Sequence, residues 1–496
     1  MLLRHTRACL LAVAGSAWLA GCGGIEGTGS PLAGIEGTGV TEGTVSGFGS
    51  VYVNGVGFDT DRADIVVDGS AATEEALQVG MVLSVIGEIE PNGLRGQARR
   101  IVSDQPLSGP IDALDRQARR GVILGQAVRF DHATLFTGLV EDDLQEGQQC
   151  RVSAYPGADG EWLATLLRCS DDYLPGAVPV EVEGLVSELD LAGGSFRIGT
   201  LSVQIDNAAL DTVQGPLGDG ALVEVIGRQP DRGGVLLAEH LRVKSAALEP
   251  EQPVSLEGVI GRFNSLGDFE LGRQRIDAAA ALRDDSHALA PARGVRIRLV
   301  GKVREDGAIA AERYALQPNT DILLTGRVDD VDAAADRLTL FGSQRQALQV
   351  TQYEDRRETG LRQFRLPDLQ SDDYVQLRGF RNDQGKIVVT RVERRDDEEP
   401  EGGTIIVSLR IQIGEVDPVA ARMLGPLDSH SLTDNRLVIA GVVVQTDAAR
   451  TEFFDRDGAS VTAVQFYNGL QSGDRLEAEG NEASDVIQAT RVRYAP

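Results

Sequence analysis

Side chains that could catalyse a reaction or hold a metal ion are thinly spread along this chain. Its histidines are His5, His132, His240, His287 and His430. None stands in a His-x-x-x-His or Cys-x-x-Cys context, so a zinc site has no support. Ser50, in Gly47-Phe48-Gly49-Ser50, lacks the Gly-x-Ser-x-Gly frame of an esterase nucleophile. We therefore predict no catalytic residue, no metal site and no cofactor.

Carboxylates are abundant, but their spacing is not that of a metal site. Asp455-Arg456-Asp457-Gly458 begins like a calcium loop, yet the later Glu ligand is missing, so we predict a tight polar turn. A second group of acidic residues could bind a cation, although ordinary solvent-exposed carboxylates are the simpler interpretation. The group comprises Asp329, Asp330, Asp332 and Asp336.

The first 22 residues have the pattern of an export signal. Arg4 and Arg7 precede an apolar run, 8–20, that is too short for an ordinary membrane span. The run ends in Leu19-Ala20-Gly21-Cys22, which resembles the lipobox of bacterial lipoproteins. That resemblance implies cleavage between Gly21 and Cys22, with acyl chains such as palmitate on Cys22. The alternative is a plain secretory signal with a chance cysteine.

Lipidation at Cys22 would anchor the chain to a bilayer without spanning it, since several acyl chains bind stably where one does not. Gly23 is not Asp, which by resemblance to enterobacterial sorting favours the outer membrane of a Gram-negative bacterium. The protein would face the periplasm or the cell surface. In residues 22–39, Ile25-Glu26-Gly27-Thr28-Gly29 recurs at 35–39, and we expect a flexible Gly-rich tether.

The overall charge limits the choice of partners. A chain of 496 residues with a formal charge of −27 repels phosphate backbones, so we predict no nucleic-acid partner. Cations or basic surfaces would be attracted, although the charge could serve solubility alone.

One strand–turn–strand pattern recurs along the chain. In its first copy, Leu77-x-x-Gly80-x-x-Leu83-x-Val85-x-Gly87 is followed by a turn at Asn92-Gly93 and a second strand. A header, Gly-x-(Val or Ile), precedes each copy. The headers are Gly43-Val45, Gly109-Ile111, Gly184-Val186, Gly258-Ile260, Gly326-Val328 and Gly414-Val416. Recurring glycines indicate bulges or bends where a small sheet curls.

The repeat divides the mature chain into six predicted modules. We expect a signal peptide at 1–21, a tether at 22–39, modules 1 to 6 at 40–104, 105–172, 176–247, 253–317, 320–395 and 404–496, and an acidic linker at 396–403. Each module has room for about five short strands and one helical turn, such as 71–77. This predicts an all-β chain of small five-stranded OB-like barrels, with a two-sheet sandwich as the alternative. We expect consecutive modules to pack into a row.

The lipobox, the tether, the phrase Gly47-Phe48-Gly49-Ser50-Val51-Tyr52-Val53-Asn54-Gly55 and the hairpins together resemble a bacterial lipoprotein family with tandem copies of a domain of unknown function. The likeness is strongest in modules 1 and 3, while module 2 is degenerate. It implies a repeated OB-like barrel at the cell envelope and brings no catalytic residues.

Two cysteines remain once Cys9 and Cys22 are assigned to the signal and the lipid site. Aligned on the repeat, Cys150 and Cys169 take core positions on adjacent antiparallel strands. In an oxidising compartment we expect a disulfide between them, the alternative being two unconnected buried thiols.

These observations predict a non-catalytic, membrane-anchored envelope lipoprotein that acts as a spacer or binding scaffold. Its partners would be the lipid bilayer, through Cys22, and an envelope protein or polysaccharide. A carbohydrate- or peptidoglycan-binding array is the alternative, by analogy with OB-like folds, and a hydrolase the less favoured one.

Overall fold

The computed structural model describes residues 37–139, 141–170, 173–205, 209–211, 216–229, 234–244, 248–285, 287–396 and 419–495. The predicted signal peptide, Gly21, Cys22 and residues 397–403 of the acidic linker lie outside these ranges. Within them, no helix has the length and apolar character needed to cross a membrane.

Module 1 shows how the alternating strands close on themselves. Its strands are β1 (Gly37–Gly47), β2 (Val51–Val53), β3 (Val56–Asp59), β4 (Asp64–Val67), β5 (Ser70–Ala72), β6 (Val82–Ile89) and β7 (Arg95–Ser103). Hydrogen bonds join β1 to β2, β2 to β3, β3 to β7, β7 to β6 and β6 back to β1. Apolar residues on one side of these strands, such as Val45, Leu83 and Ile101, fill the interior.

The remaining modules repeat this circuit with their own strands. Module 2 has β8 (Leu107–Asp115), β9 (Arg120–Ile123), β10 (Gln126–Arg129), β11 (Leu135–Thr137), β12 (Gln149–Pro156) and β13 (Trp162–Ser170). Module 3 has β14 (Val180–Asp190), β15 (Ser195–Ile198), β16 (Leu201–Gln204), β17 (Ala209–Asp211), β18 (Leu222–Arg228) and β19 (Leu236–Lys244). Module 4 has β20 (Pro253–Ser265), β21 (Asp268–Leu271), β22 (Gln274–Asp277), β23 (Leu282–Arg283), β24 (Arg296–Val303) and β25 (Ile309–Gln317).

Modules 5 and 6 complete the chain. Module 5 has β26 (Ile322–Asp332), β27 (Arg337–Leu340), β28 (Ser343–Asp355), β29 (Tyr374–Arg381) and β30 (Ile387–Arg394). Module 6 has β31 (Val419–Ser431), β32 (Arg436–Ile439), β33 (Val442–Gln445), β34 (Glu452–Phe454), β35 (Ser460–Val461), β36 (Arg475–Ala483) and β37 (Val486–Tyr494), with one α-helix, α1 (Ala463–Gly469). Short 3-10 turns lie at Glu74–Ala76, Glu141–Asp143, Ala158–Gly160, Ala333–Ala335 and Leu366–Asp368. The predicted all-β fold of small five-stranded OB-like barrels is confirmed, and the strand circuits are closed.

The recurring second glycine lies at a β-bulge, as predicted. In module 1 the register between β6 and β7 shifts at Ile86/Gly87, and a Cβ atom on Gly87 would lie 2.4 Å from the carbonyl oxygen of Gln97. The same shift occurs at Gly227, Gly301, Gly379 and Gly480. The bulge bends the strand pair so that a short sheet can close.

Three boundaries differ from the sequence prediction. β1 begins at Gly37, inside the predicted tether, because Gly37, Thr38 and Gly39 pair with the end of β6. Residues 70–77 form β5 and a single 3-10 turn. The predicted header Gly414-Val416 lies outside the described residues, and Gly425 of β31 takes that place, pairing with Leu476 as Gly43 pairs with Leu83.

The modules do not pack as a simple row. Module 2 joins module 3 through β8 and β14, and module 5 joins module 6 through β26 and β31. Module 1, however, joins module 4: β1 and β20 run parallel, with Val40, Thr41 and Glu42 opposite Val254, Ser255 and Leu256. The expected row was wrong because backbone pairing at these exposed edges connects modules that are far apart in sequence.

Candidate functional site: the cavity between modules

A cavity of about 480 Å³ lies where modules 1, 2, 4 and 5 meet. Its walls include Thr44 of module 1, Arg129 of module 2, Arg298 of module 4 and Arg391 of module 5. This volume falls within the usual range for small-molecule sites. The site depends on the pairing of module 1 with module 4, because that pairing brings β1 beside β20.

Strand alternation explains why arginines face this cavity. In β24, Ile297 and Leu299 point into the core of module 4 and have no exposed surface. Arg296 and Arg298, which alternate with them, lie on the outer side of the strand. In an isolated barrel that side would face water. Here the neighbouring modules cover it, so both guanidinium groups line the cavity.

The cavity is cationic in a strongly acidic protein. Eight arginines and one lysine line it, against four carboxylates. The net formal charge of the chain, in contrast, is −27. The lining therefore favours an anion that the outer surface would repel.

Glu257 is the buried acid of the site, and its charge is balanced. The Arg296 Nη2 lies 2.6 Å from Glu257 Oε1, and the backbone N–H of Thr44 donates to Glu257 Oε2 at 3.3 Å. Although burial alone would raise it, the pKa of Glu257 is lowered by Arg296 and Arg298. The Arg296 guanidinium also lies 5.4 Å from the ring centroid of Tyr155, so this cluster connects modules 1, 2 and 4.

Arg298 lies opposite Glu257 where β20 pairs with β24, but the carboxylate oxygens of Glu257 are engaged by Arg296 and Thr44. Arg298 is 9% exposed, and its buried Nε–H has no hydrogen-bond partner among the described residues. The nearby carboxylate of Asp284 is held by Arg313, whose Nε lies 2.7 Å from Asp284 Oδ2. Burial lowers the pKa of Arg298 despite the attraction of Glu257 and Asp284. The Nε–H groups of Arg296 and Arg391 are likewise buried without a partner in the described part of the chain.

His287 and Asp285 also line the cavity, a combination that could suggest catalysis. The His287 Nε2 lies 3.0 Å from the Leu316 carbonyl oxygen, so this nitrogen carries the proton. Its Nδ1 faces Asp285 Oδ1 and Arg283 Nη2, each at 3.4 Å. Both ring nitrogens are thus occupied by structural contacts, and neither is placed to activate a nucleophile.

A second histidine, His132, is partly buried beside the cavity among positively charged side chains. His132 follows Asp131, which lines the cavity, and Arg119 Nη1 lies 2.7 Å from its Nδ1. Burial, together with the charges of Arg119, Arg378 and Arg475, lowers the pKa of His132 to about 3. The histidine therefore stays neutral at physiological pH.

The structure separates the residues singled out from the sequence. Cys150 lies directly opposite Cys169 in the pairing of β12 with β13, and a disulfide joins them across a Cα separation of 4.1 Å. Asp455 accepts hydrogen bonds from the backbone of Asp457 and Ala459, which makes the predicted polar turn. None of these five residues lines the cavity.

The acidic group of module 5 is dispersed. Asp332 caps a 3-10 turn by accepting from Ala335 N–H, and Asp336 closes that turn in a left-handed conformation. Asp329 instead lies near Glu482 and Asp485 of module 6, with carboxylate oxygens within 4.8 Å of one another. The sequence did not indicate the cavity arginines as a site, since their alternation alone is typical of any solvated strand face.

Comparison with known proteins agrees with the repeated fold. No curated protein matches the chain. A solved structure described as drosophila Unr CSD456 is 13% identical over 43% of this chain and 100% of that one, with a TM-score of 0.14, which supports no structural inference. The model of a domain of unknown function, DUF5666, matches residues 108–167, 325–393 and 425–493. These segments lie in modules 2, 5 and 6, whereas the sequence suggested modules 1 and 3 as the strongest copies. Three segments of this chain thus match a domain of unknown function, DUF5666, which is consistent with tandem repeats.

Proposed function

We propose that this protein is a non-catalytic binding scaffold of the bacterial cell envelope, anchored to the outer membrane by acyl chains on Cys22. The observation that carries the proposal is the cavity of about 480 Å³ formed where modules 1, 2, 4 and 5 meet. A protein that only separates two structures needs no such cavity. The pairing of β1 with β20 supports binding over spacing because it folds the chain back on itself.

The anchoring part of the proposal rests on the motif Leu19-Ala20-Gly21-Cys22. Metabolic labelling with a palmitate analogue in a Gram-negative host tests it. We expect label in the wild-type chain and in its membrane fraction, and loss of both in Cys22→Ser. Labelling that persists in Cys22→Ser would contradict the assignment of Cys22.

The binding part is tested by native mass spectrometry of the full chain purified gently from the envelope. We expect a non-covalent small-molecule adduct that disappears on denaturation. A chain that carries no adduct and binds none of the small molecules offered to it would favour the spacer.

Binding of a carbohydrate is the second candidate. Seven amide side chains line the cavity, among them Asn54, Gln346 and Asn382, and amides suit sugar hydroxyl groups. Phe380 is the aromatic residue in this lining, so a stacking platform for a neutral oligosaccharide is weakly developed. The balance of cations and amides supports a polar, charged ligand.

A further inference from the structure

Arg298 is the feature that the fold alone does not explain. A buried polar group without a hydrogen-bond partner is destabilising, and native structures keep such groups rare. Arg298 is nine-tenths buried, lines the cavity and has an unsatisfied Nε–H within the described residues. Replacing it by a neutral residue would remove that cost. Its presence therefore points to a partner that is bound in the cavity.

The missing partner is an anion. The carboxylates nearest to Arg298 already have cations of their own, since Glu257 pairs with Arg296 and Asp284 with Arg313. An added carboxylate or phosphate would accept from Arg298 in a charge-assisted hydrogen bond.

Module 5 offers a further donor across the cavity. Arg391 is 4% exposed and contacts Glu393, and its Nη2 lies 3.4 Å from Glu354 Oε2. Its Nε–H nevertheless lacks an acceptor among the residues described. Donors from modules 4 and 5 thus line one cavity.

We infer that this cavity binds a small polar molecule carrying a phosphate or carboxylate group, with Arg298 as its principal cationic contact. The inference rests on the proposed function in placing the ligand between the modules, and it adds the ligand's chemical class. The amide side chains around the cavity fit hydroxyl groups on the same molecule. A phosphorylated or acidic monosaccharide combines both features.

Isothermal titration of the full chain in detergent at low salt tests this inference. The probes are glucose 6-phosphate, glucuronate, inorganic phosphate and glucose. We expect saturable one-to-one binding of at least one of the two anionic sugars, at least tenfold tighter than glucose, and weaker binding in higher salt. Binding of the phosphorylated sugar alone, or of glucuronate alone, identifies which anion the site prefers.

The matched variants are Arg298→Gln and Arg450→Gln. Arg450 lies outside the cavity, and its side chain is 88% exposed. We expect at least a tenfold loss of affinity in Arg298→Gln and none in Arg450→Gln. The melting temperature of the ligand-free Arg298→Gln protein should stay close to that of the wild type, because Glu257 keeps its ion pair with Arg296 and the unsatisfied Arg298 Nε–H is gone. This readout separates a binding residue from a structural one.

Three outcomes would overturn the inference. If glucose binds as tightly as the anionic sugars, the site does not require an anionic group and the inference is wrong. The proposed function as a binding scaffold would still stand. Equal affinity in wild type and Arg298→Gln would exclude Arg298 as the principal contact and so overturn the inference. Binding of no probe would overturn the inference, whereas the proposed function fails only if the chain purified from the envelope also carries no adduct.

Discussion

At the scale of single residues, the cavity shows that a neighbouring module can bury a side chain that would otherwise face water. Arg296 and Arg298 lie two residues apart on β24 and both attract the buried Glu257 carboxylate, yet of the two it is Arg296 that forms an ion pair with it. The alternation in the sequence correctly places both outside the core of module 4. It could not show that this outer side is covered, because polar residues alternate in the same way whether they face water or a second domain.

The disulfide is a residue-scale feature that the sequence did indicate, since the repeat aligns Cys150 with Leu83 and Cys169 with Ile101. The two cysteines are 19 residues apart. Replacing both by serine should lower the free energy of unfolding by about 3 kcal/mol, because a loop of that length is no longer closed in the unfolded chain. Thermal unfolding of the wild type and the double variant, without reductant, measures this loss. An unchanged melting temperature, with free thiols in the wild-type protein, would contradict the bond.

Glu181 provides a pH-dependent prediction. It lies opposite Ser108 where β14 pairs with β8, and burial, followed by the carboxylates of Glu224, Asp68 and Asp104, raises its pKa from 4.5 to about 8. The folded state therefore holds a proton that the unfolded state releases. Stability from this group is complete below pH 4.5 and is lost as the pH rises towards 8.

Unfolding experiments at pH 5 and pH 8 on wild type and Glu181→Gln check this sign. Between these pH values the wild type should lose stability relative to the variant by on the order of 2 kcal/mol. The glutamine cannot ionise, so it serves as the control. A wild type that gains stability relative to the variant over this interval would show that the Glu181 carboxylate is paired as an anion.

At the scale of strands and turns, the glycine pattern was the most informative part of the sequence. Apolar alternation predicted short strands, and the recurring glycines predicted where the strand pairs bend. Both agree with the observed bulges, because a glycine can approach the opposing backbone where a side chain would collide. The start of β1 was missed because Gly37-Thr38-Gly39 repeats the tether sequence. In the structure these three residues pair with the end of β6.

Gly301 and Gly258 make a matched test of this interpretation within module 4. A Cβ atom on Gly301 would lie 2.2 Å from the Ala310 carbonyl oxygen, whereas one on Gly258 would meet its nearest neighbour at 3.7 Å. We expect Gly301→Ala to destabilise the protein by about 1–3 kcal/mol through overpacking and Gly258→Ala to stay close to wild type. Denaturant unfolding measures both variants. Equal stability of the two would mean that the bulge does not require a glycine.

The loop between β28 and β29 is an element whose role the sequence could not disclose. It lies in module 5 but reaches module 1, where the Arg365 guanidinium is 3.9 Å from the ring centroid of Tyr52 and that of Arg362 is 3.9 Å from that of Phe48. Arg362 also donates to the Leu77 carbonyl at 3.2 Å. The phrase Gly47-Phe48-Gly49 in module 1 thus forms part of a contact between modules.

At the scale of the whole molecule, the repeat predicted the units but not their arrangement. Modules 2 and 3, and modules 5 and 6, join as sequence neighbours, whereas module 1 joins module 4 across two intervening modules. Edge strands expose unpaired backbone groups whatever their side chains, so residue types say little about which edges meet. The cavity follows from this pairing, and with it the site that we propose.

The pairing of β1 with β20 is therefore the central claim, and a cysteine pair tests it directly. Thr41 and Ser255 are buried and lie opposite each other on β1 and β20. Adjacent strands in a sheet are about 4.8 Å apart, which is close enough for a disulfide between the two positions. In oxidised Thr41→Cys/Ser255→Cys, non-reducing peptide mass spectrometry should detect a link between residues 41 and 255. The control pair Thr41→Cys/Ser187→Cys, with one cysteine in module 3, should yield no link. A folded variant in which residues 41 and 255 stay unlinked would contradict the pairing and the cavity built on it.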